Sequence, residues 1–184
     1  MPLPLPLPKP IREIGRKRIN RAPSPLLALA VPWVVVMAGS LSPLWPVIAS
    51  APILPPIGFL LLVAWEQLRP GIFPVWAGLP LGLFDDLYSG QPMGSAILLW
   101  SIAVILLDFV ETRFPWRGFA LNWLFAAAVI AAYLFLAQAL AQLDRWGVPL
   151  AILPQLGLSI LLYPLIARLV ALFDRFRLIP IREV

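Results

Sequence analysis

The chain has 184 residues, of which 61% are hydrophobic and only 12% charged, with a mean hydropathy of +0.90. A soluble domain carries about 45–50% apolar and about 25% charged residues, and a water-soluble fold of this composition could not hide so much apolar surface, so the class is an integral membrane protein. The net charge of +5 does not indicate nucleic acid, because most basic residues sit at the two chain ends beside apolar segments, where they act as orientation signals and contacts for anionic lipid. The absence of Cys excludes disulfides and thiolate chemistry. The absence of His removes the commonest metal ligand and the commonest general base near neutral pH.

The chain opens MPLPLPLPKP. Alternating prolines lock φ and remove backbone donors, which predicts an extended, polyproline-like arm. Arg12, Arg16, Lys17, Arg18 and Arg21 follow. Residues 1–24 read as a basic, proline-rich cytoplasmic arm whose charges orient the first span or contact lipid. Six apolar segments come next, at about 25–44, 52–68, 71–83 (running on toward Asp86), 93–110, 119–143 and 148–173. A spanning helix needs about 20 residues. Four segments meet this comfortably, while the second and third are short and rich in Pro and Gly, fit for tilted or partly re-entrant spans. The expected fold is therefore all-α: a polytopic membrane domain of six transmembrane helices over 25–174, with a cytoplasmic tail at 175–184.

With the N-terminus in the cytosol, thirteen of the 14 Lys and Arg fall on the cytoplasmic side and only Arg145 on the other. This is a strong positive-inside pattern, and it places both termini in the cytoplasm. Trp45, Trp65, Trp116 and Trp146 fall near expected span ends, the depth indoles prefer.

The stretch GLFDDLYSGQPMG, Gly82 to Gly94, plants two adjacent acids between apolar runs. If the third span is helical from Arg69, Asp85 lies about 24 Å along it, near the outer boundary of hydrocarbon about 30 Å thick. Neighbouring helical residues point about 100° apart, so the pair cannot pass a proton between its members. One Asp can cap the following turn while the other faces a cavity or partner. Ser89, Gly90 and Pro92 are turn formers. Either an acidic helix end leading into a tight turn or a functional polar site accounts for the pair. Gly78 and Gly82 form a small-xxx-small face that admits another helix, with Pro80 between them as a source of a kink. Gly90 and Gly94 suit the turn and the start of the fourth span.

Gln138 and Gln142 read as interhelical hydrogen-bond partners. Glu66 with Arg69, and Asp108 and Glu111 with Arg113 and Arg117, read as solvated ion pairs at cytoplasmic span ends. Arg168 can snorkel to the inner headgroups. No nucleophile, phosphate loop or metal-ligand spacing emerges. The acid pair could hold Mg²⁺ against a lipid diphosphate, but the outer side offers only Asp144 as a further acid. The expectation is a non-enzymatic protein with no cofactor and no metal.

The run LRPGIFPVWAGLPLGLFDDLYSGQPMGSAILLW resembles the rod shape-determining protein MreD family, which shows an Arg-Pro after the second span and then a G-L-x-x-D-x-x-S-G-x-x-x-G stretch. Here those positions are Arg69, Pro70, Gly82, Leu83, Asp86, Ser89, Gly90 and Gly94, with Asp85 an additional acid. The match covers about thirty residues, and the six-span layout agrees along the chain. The resemblance implies a component of the bacterial elongation machinery in the inner membrane that binds MreC and through it connects MreB, the RodA glycosyltransferase and a class B transpeptidase. It also implies a fold similar to the substrate-binding subunits of energy-coupling-type vitamin transporters, and hence an alternative function as a small-molecule-binding subunit. The candidate partner-binding or cavity residues are Gly78, Gly82, Asp85, Asp86, Ser89, Gly90, Pro92 and Gly94.

Overall fold

The computed structural model describes residues 25–44, 54–114, 118–141 and 152–178. Six α-helices lie among them: α1 (Pro25–Ser40), α2 (Ile57–Leu68), α3 (Gly78–Ser89), α4 (Ser95–Arg113), α5 (Phe119–Ala141) and α6 (Ile152–Arg177). Single 3₁₀ turns occupy Ser42–Leu44 and Val75–Ala77. No strand occurs among the described residues. The basic arm, the C-terminal tail from 179, Trp45, Trp116, Trp146, Gln142 and Arg145 lie outside them.

Four helices are long and apolar enough to cross a membrane: α1 with its 3₁₀ turn, α4, α5 and α6. This is a membrane protein by the character of its surface as well. Leu121, Leu124 and Leu136 on α5, and Leu153, Leu161, Leu165 and Leu172 on α6, all point outward. In water such a belt would drive aggregation; in hydrocarbon it is at home.

The helices α2 and α3 are shorter than the sequence suggested. Each has 12 residues, about 18 Å of helix. Pro55 and Pro56 delay the start of α2. Between α2 and α3 the chain is not α-helical, because Pro70 and Pro74 supply no amide and Gly71 takes a left-handed φ of 73°. Pro80, expected to kink the third span, instead sits in the first turn of α3, where a missing N–H costs no helical hydrogen bond.

The core is built around α2. Every residue from Gly58 to Glu66 is buried. A helix on the surface buries one stripe; one buried all round is surrounded, here by α1, α4, α5 and α6. The segment also runs most of the bundle's length. The Leu54 carbonyl accepts from Gln155 Nε2 at 2.7 Å at one end, and Arg69 meets Asp174 at the other. Gln155 to Asp174 is about 28 Å of helix, matched by α2 together with the residues that lead into it.

Lipid tails are as apolar as leucine, so helices in a bilayer hold together by close packing rather than by hydrophobic burial. The glycines supply that closeness. A Cβ on Gly78 would fall on the backbone of Trp100 and Ser101, and one on Gly82 would lie 2.6 Å from the Ala96 carbonyl oxygen. The Gly78/Gly82 face is therefore filled by α4 of the same chain, with the two helices antiparallel and their backbones touching. Gly39 and Gly58 make the corresponding close approach between α1 and α2. Beyond Ser101, α4 packs on the Val75–Ala77 turn instead, and Phe73 and Ala77 are buried there. Irregular backbone at membrane depth survives where protein covers it.

The two kinds of glycine predict different costs. Gly82→Ala forces α3 and α4 apart and should cost about 1–3 kcal/mol or more. Gly90→Ala meets open space and should cost only the left-handed strain, about 1 kcal/mol. Thermal unfolding in detergent, followed by tryptophan fluorescence, should show the larger loss for Gly82→Ala; an equal or larger loss at Gly90 would contradict the packing.

Candidate functional site

The site lies where α3 turns into α4. Gly90 ends α3 in the left-handed region (φ 69°), and Gly94 precedes α4 with φ 94°. Both values suit glycine alone. Between them the chain reverses in a few residues, and this brings the last turn of α3 beneath the first turn of α4.

Asp86 occupies that position. Its Oδ2 accepts from the Gly94 amide at 2.8 Å and from the Ile97 amide at 3.3 Å, and its Oδ1 accepts from the Ala96 amide at 2.9 Å. The Ser95 hydroxyl is 3.3 Å from Oδ1 and equally far from Gln91 Oε1, and the Ser95 amide donates to the Pro92 carbonyl at 3.0 Å. A helix leaves its first amides without internal acceptors. Here each of those from Gly94 to Ile97 has one, and three share a single carboxylate borrowed from the preceding helix. The negative charge also lies at the positive end of the α4 dipole. Ser89 contributes a long contact, 3.5 Å, from the Gln91 amide to its hydroxyl, while Pro92 and Met93 are exposed at the tip.

Asp85, one residue earlier, points elsewhere. It is buried beside the Ser40 hydroxyl of α1 and the Tyr133 phenol of α5. Tyr133 also lies near Trp100 of α4 and Gln91, and it stacks on Phe59 of α2 with ring centroids 3.9 Å apart. Ser40 Oγ and Trp100 Nε1 are buried without a hydrogen-bond partner of good geometry among the described residues. Of the proposed residues, then, Asp86, Ser89, Gly90, Pro92 and Gly94 form the turn, Gly78 and Gly82 form the helix contact below it, and Asp85 faces a separate buried cluster.

The opposite end of the bundle corrects several expectations. Glu66 and Arg69 are not a solvated pair. Glu66 is 0% exposed, and the amides of Gly71 and Phe73 lie alongside its carboxylate without reaching hydrogen-bond alignment. Arg69 instead reaches Asp174 of α6 at 2.9 and 3.1 Å. Asp174 also accepts from Arg177 at 2.8 Å, and Arg177 donates to the Ala28 carbonyl at 3.0 Å and lies over the Trp65 ring. One carboxylate thus ties α1, α2 and α6. Trp65, expected at the membrane interface, is fully buried beneath that arginine. Glu111, expected in a solvated cluster, is buried as well. Tyr163 of α6 donates to Gln67 Oε1 at 2.9 Å, and Gln67 Nε2 donates to the Asn122 carbonyl at 3.2 Å, which joins α2, α5 and α6. Arg168 is exposed and Gln138 half-buried.

Among the described residues no three acids converge as a metal site. No family model, curated protein or solved structure matches the chain.

Sequence reasoning missed Ser40, Phe59, Trp100 and Tyr133, which come from four helices and share no local pattern. It also missed Asp174, whose i,i+3 spacing to Arg177 was the available signal. Asp86→Ala strands three amides, one in a buried and two in part-buried hydrogen bonds, and should destabilise by about 2–4 kcal/mol, more than an ordinary cap. Asp85→Asn should change stability far less. The comparison of unfolding midpoints in detergent checks this; equal losses would show that Asp86 has no special capping role.

Proposed function

We propose that the chain is a six-span, non-enzymatic scaffold of the bacterial inner membrane, of the MreD type, which holds MreC and through it the MreB, RodA and class B transpeptidase elements of lateral wall synthesis. The observation that carries this reading is the use the fold makes of the G-L-x-x-D-x-x-S-G-x-x-x-G stretch. Gly82 sets the helix contact, Asp86 caps α4, and Gly90 and Gly94 permit the reversal. The stretch that carries the resemblance is thus also the specification of one rigid joint. The joint presents Leu87, Tyr88 and Met93 outward, an apolar and aromatic patch of the kind that anchors protein contacts.

Six spans follow if α2 crosses with the residues that lead into it and α3 completes its crossing through residues 70–77. The described arginines, Arg69, Arg113, Arg168, Arg175 and Arg177, all lie toward the Asp174 end. That supports a cytoplasmic Asp174 end and an outward-facing Asp86 end. A second reading, a small-molecule-binding subunit of a transporter, is favoured by the buried polar cluster around Asp85.

A cysteine placed at Met93 should react with an impermeant thiol reagent from outside intact cells, and one at Ser24 or Val184 should not; the reverse pattern would overturn the topology. Tyr88→Ala combined with Met93→Ala should weaken capture of MreC from native membranes by about tenfold and leave the unfolding midpoint unchanged. Undiminished capture would remove this patch from the partner interface.

A further inference from the structure

We propose that α6 is a hinged helix, which bends at Pro164 and whose C-terminal arm, residues 165–177, is latched shut against α1 and α2 by Asp174 and Arg177. Two prolines lie inside helices, Pro32 in α1 and Pro164 in α6. A proline has no amide, so the carbonyl four residues earlier loses its helical donor and the helix can bend there. Those carbonyls belong to Ala28 and Ile160. Each is taken up by a side chain from another helix. Trp123 Nε1 of α5 donates to the Ile160 carbonyl at 3.1 Å, and Arg177 Nη1 of α6 donates to the Ala28 carbonyl at 3.0 Å. Each proline thus supplies the acceptor for a bond between helices.

The two bonds play different parts. The first lies at the pivot. Together with the Tyr163 bond to Gln67 Oε1 at 2.9 Å, it fixes α6 to α5 and α2 right up to Pro164. Past Pro164 the hold is narrower. Leu165, Leu169, Leu172, Arg175 and Phe176 face outward, and only Ile166, Val170 and Asp174, a single stripe spaced four residues apart, are buried. In lipid such a stripe holds weakly, because the tails are as apolar as the helix they would replace. Among the described residues, the side-chain hydrogen bonds beyond the hinge all pass through Asp174 and Arg177. Asp174 accepts from Arg69 of α2, and it also steadies the guanidinium that reaches Ala28 of α1. One carboxylate therefore closes the arm on both neighbours, and its loss leaves a helix that can swing at a proline.

The hinge depends on neither the scaffold role nor MreC. The native chain has no Cys, so spin labels on Leu153→Cys and Leu172→Cys, exposed positions on opposite sides of Pro164, report the bend within one helix. They lie about 28 Å apart along a straight helix. Double electron–electron resonance on the full chain in nanodiscs should give one narrow distance distribution. Asp174→Ala should broaden it toward shorter distances, and Arg177→Met, which leaves Asp174 on Arg69, should do so to a smaller degree. Adding Pro164→Ala to Asp174→Ala should narrow the distribution again, because an amide at 164 restores the helical bond to Ile160. A distribution that stays narrow in both latch variants would overturn the latch. Broadening that persists with Pro164→Ala would overturn the hinge, since a frayed helix end has no need of the proline. A stability cycle tests the pivot separately. Trp123→Phe should lower the unfolding midpoint, followed by circular dichroism, in the wild type and not in Pro164→Ala. Equal losses in the two backgrounds would overturn the pairing of the indole with the carbonyl that Pro164 releases.

Discussion

The fold turns on a carboxylate that serves a helix other than its own. Helix α4 enters the bundle with backbone amides that have no acceptor ahead of them, in a setting where unmade hydrogen bonds are costly. Asp86 supplies the acceptors from the end of α3. It can do so because two glycines in the left-handed region fold the chain back within a few residues, and because Gly78 and Gly82 let the two backbones touch. Turn, contact and cap are one device.

The other end of the bundle solves a related problem by different means. There the chain leaves the helix at Pro70 and Gly71 and stays irregular until the Val75–Ala77 turn. Glu66 is buried beside the amides of that irregular stretch, and Asp174 gathers Arg69 and Arg177. Such a buried or half-buried ion set is weak evidence of stability in itself. Its clearer effect is on register, because it fixes where α1, α2 and α6 end relative to one another. With α2 held at both ends and buried from Gly58 to Glu66, the bundle has a central axis.

How much of this the amino-acid sequence reveals depends on the range of the interaction. The bounds of α4, α5 and α6 follow closely from apolar runs long enough to cross a bilayer. The turn between α3 and α4 is readable because its glycines and acids act within a dozen residues. The starts of α2 and α3 come later than hydropathy implies, since Pro55, Pro56, Pro70 and Pro74 are apolar enough to extend a run yet cannot extend a helix. Glu66 and Glu111 look solvated because their neighbours in sequence are charged; their burial is decided by elements far along the chain. The same holds for Asp174, whose partner Arg69 is 105 residues away, and for the meeting of Ser40, Asp85, Trp100 and Tyr133. Trp65 sits at a helix end like an interfacial indole, but the arginine that covers it belongs to α6.

The central claim is that the Asp86 carboxylate holds the leading amides of α4. Amide hydrogen exchange in lipid nanodiscs, resolved at Gly94, Ala96 and Ile97, measures it directly. With wild-type protein the account predicts protection comparable to that of the middle of α4, and a selective loss at these three amides in Asp86→Ala while the rest of α4 stays protected. Rapid exchange at these positions in the wild type, or protection that survives the substitution, would contradict it.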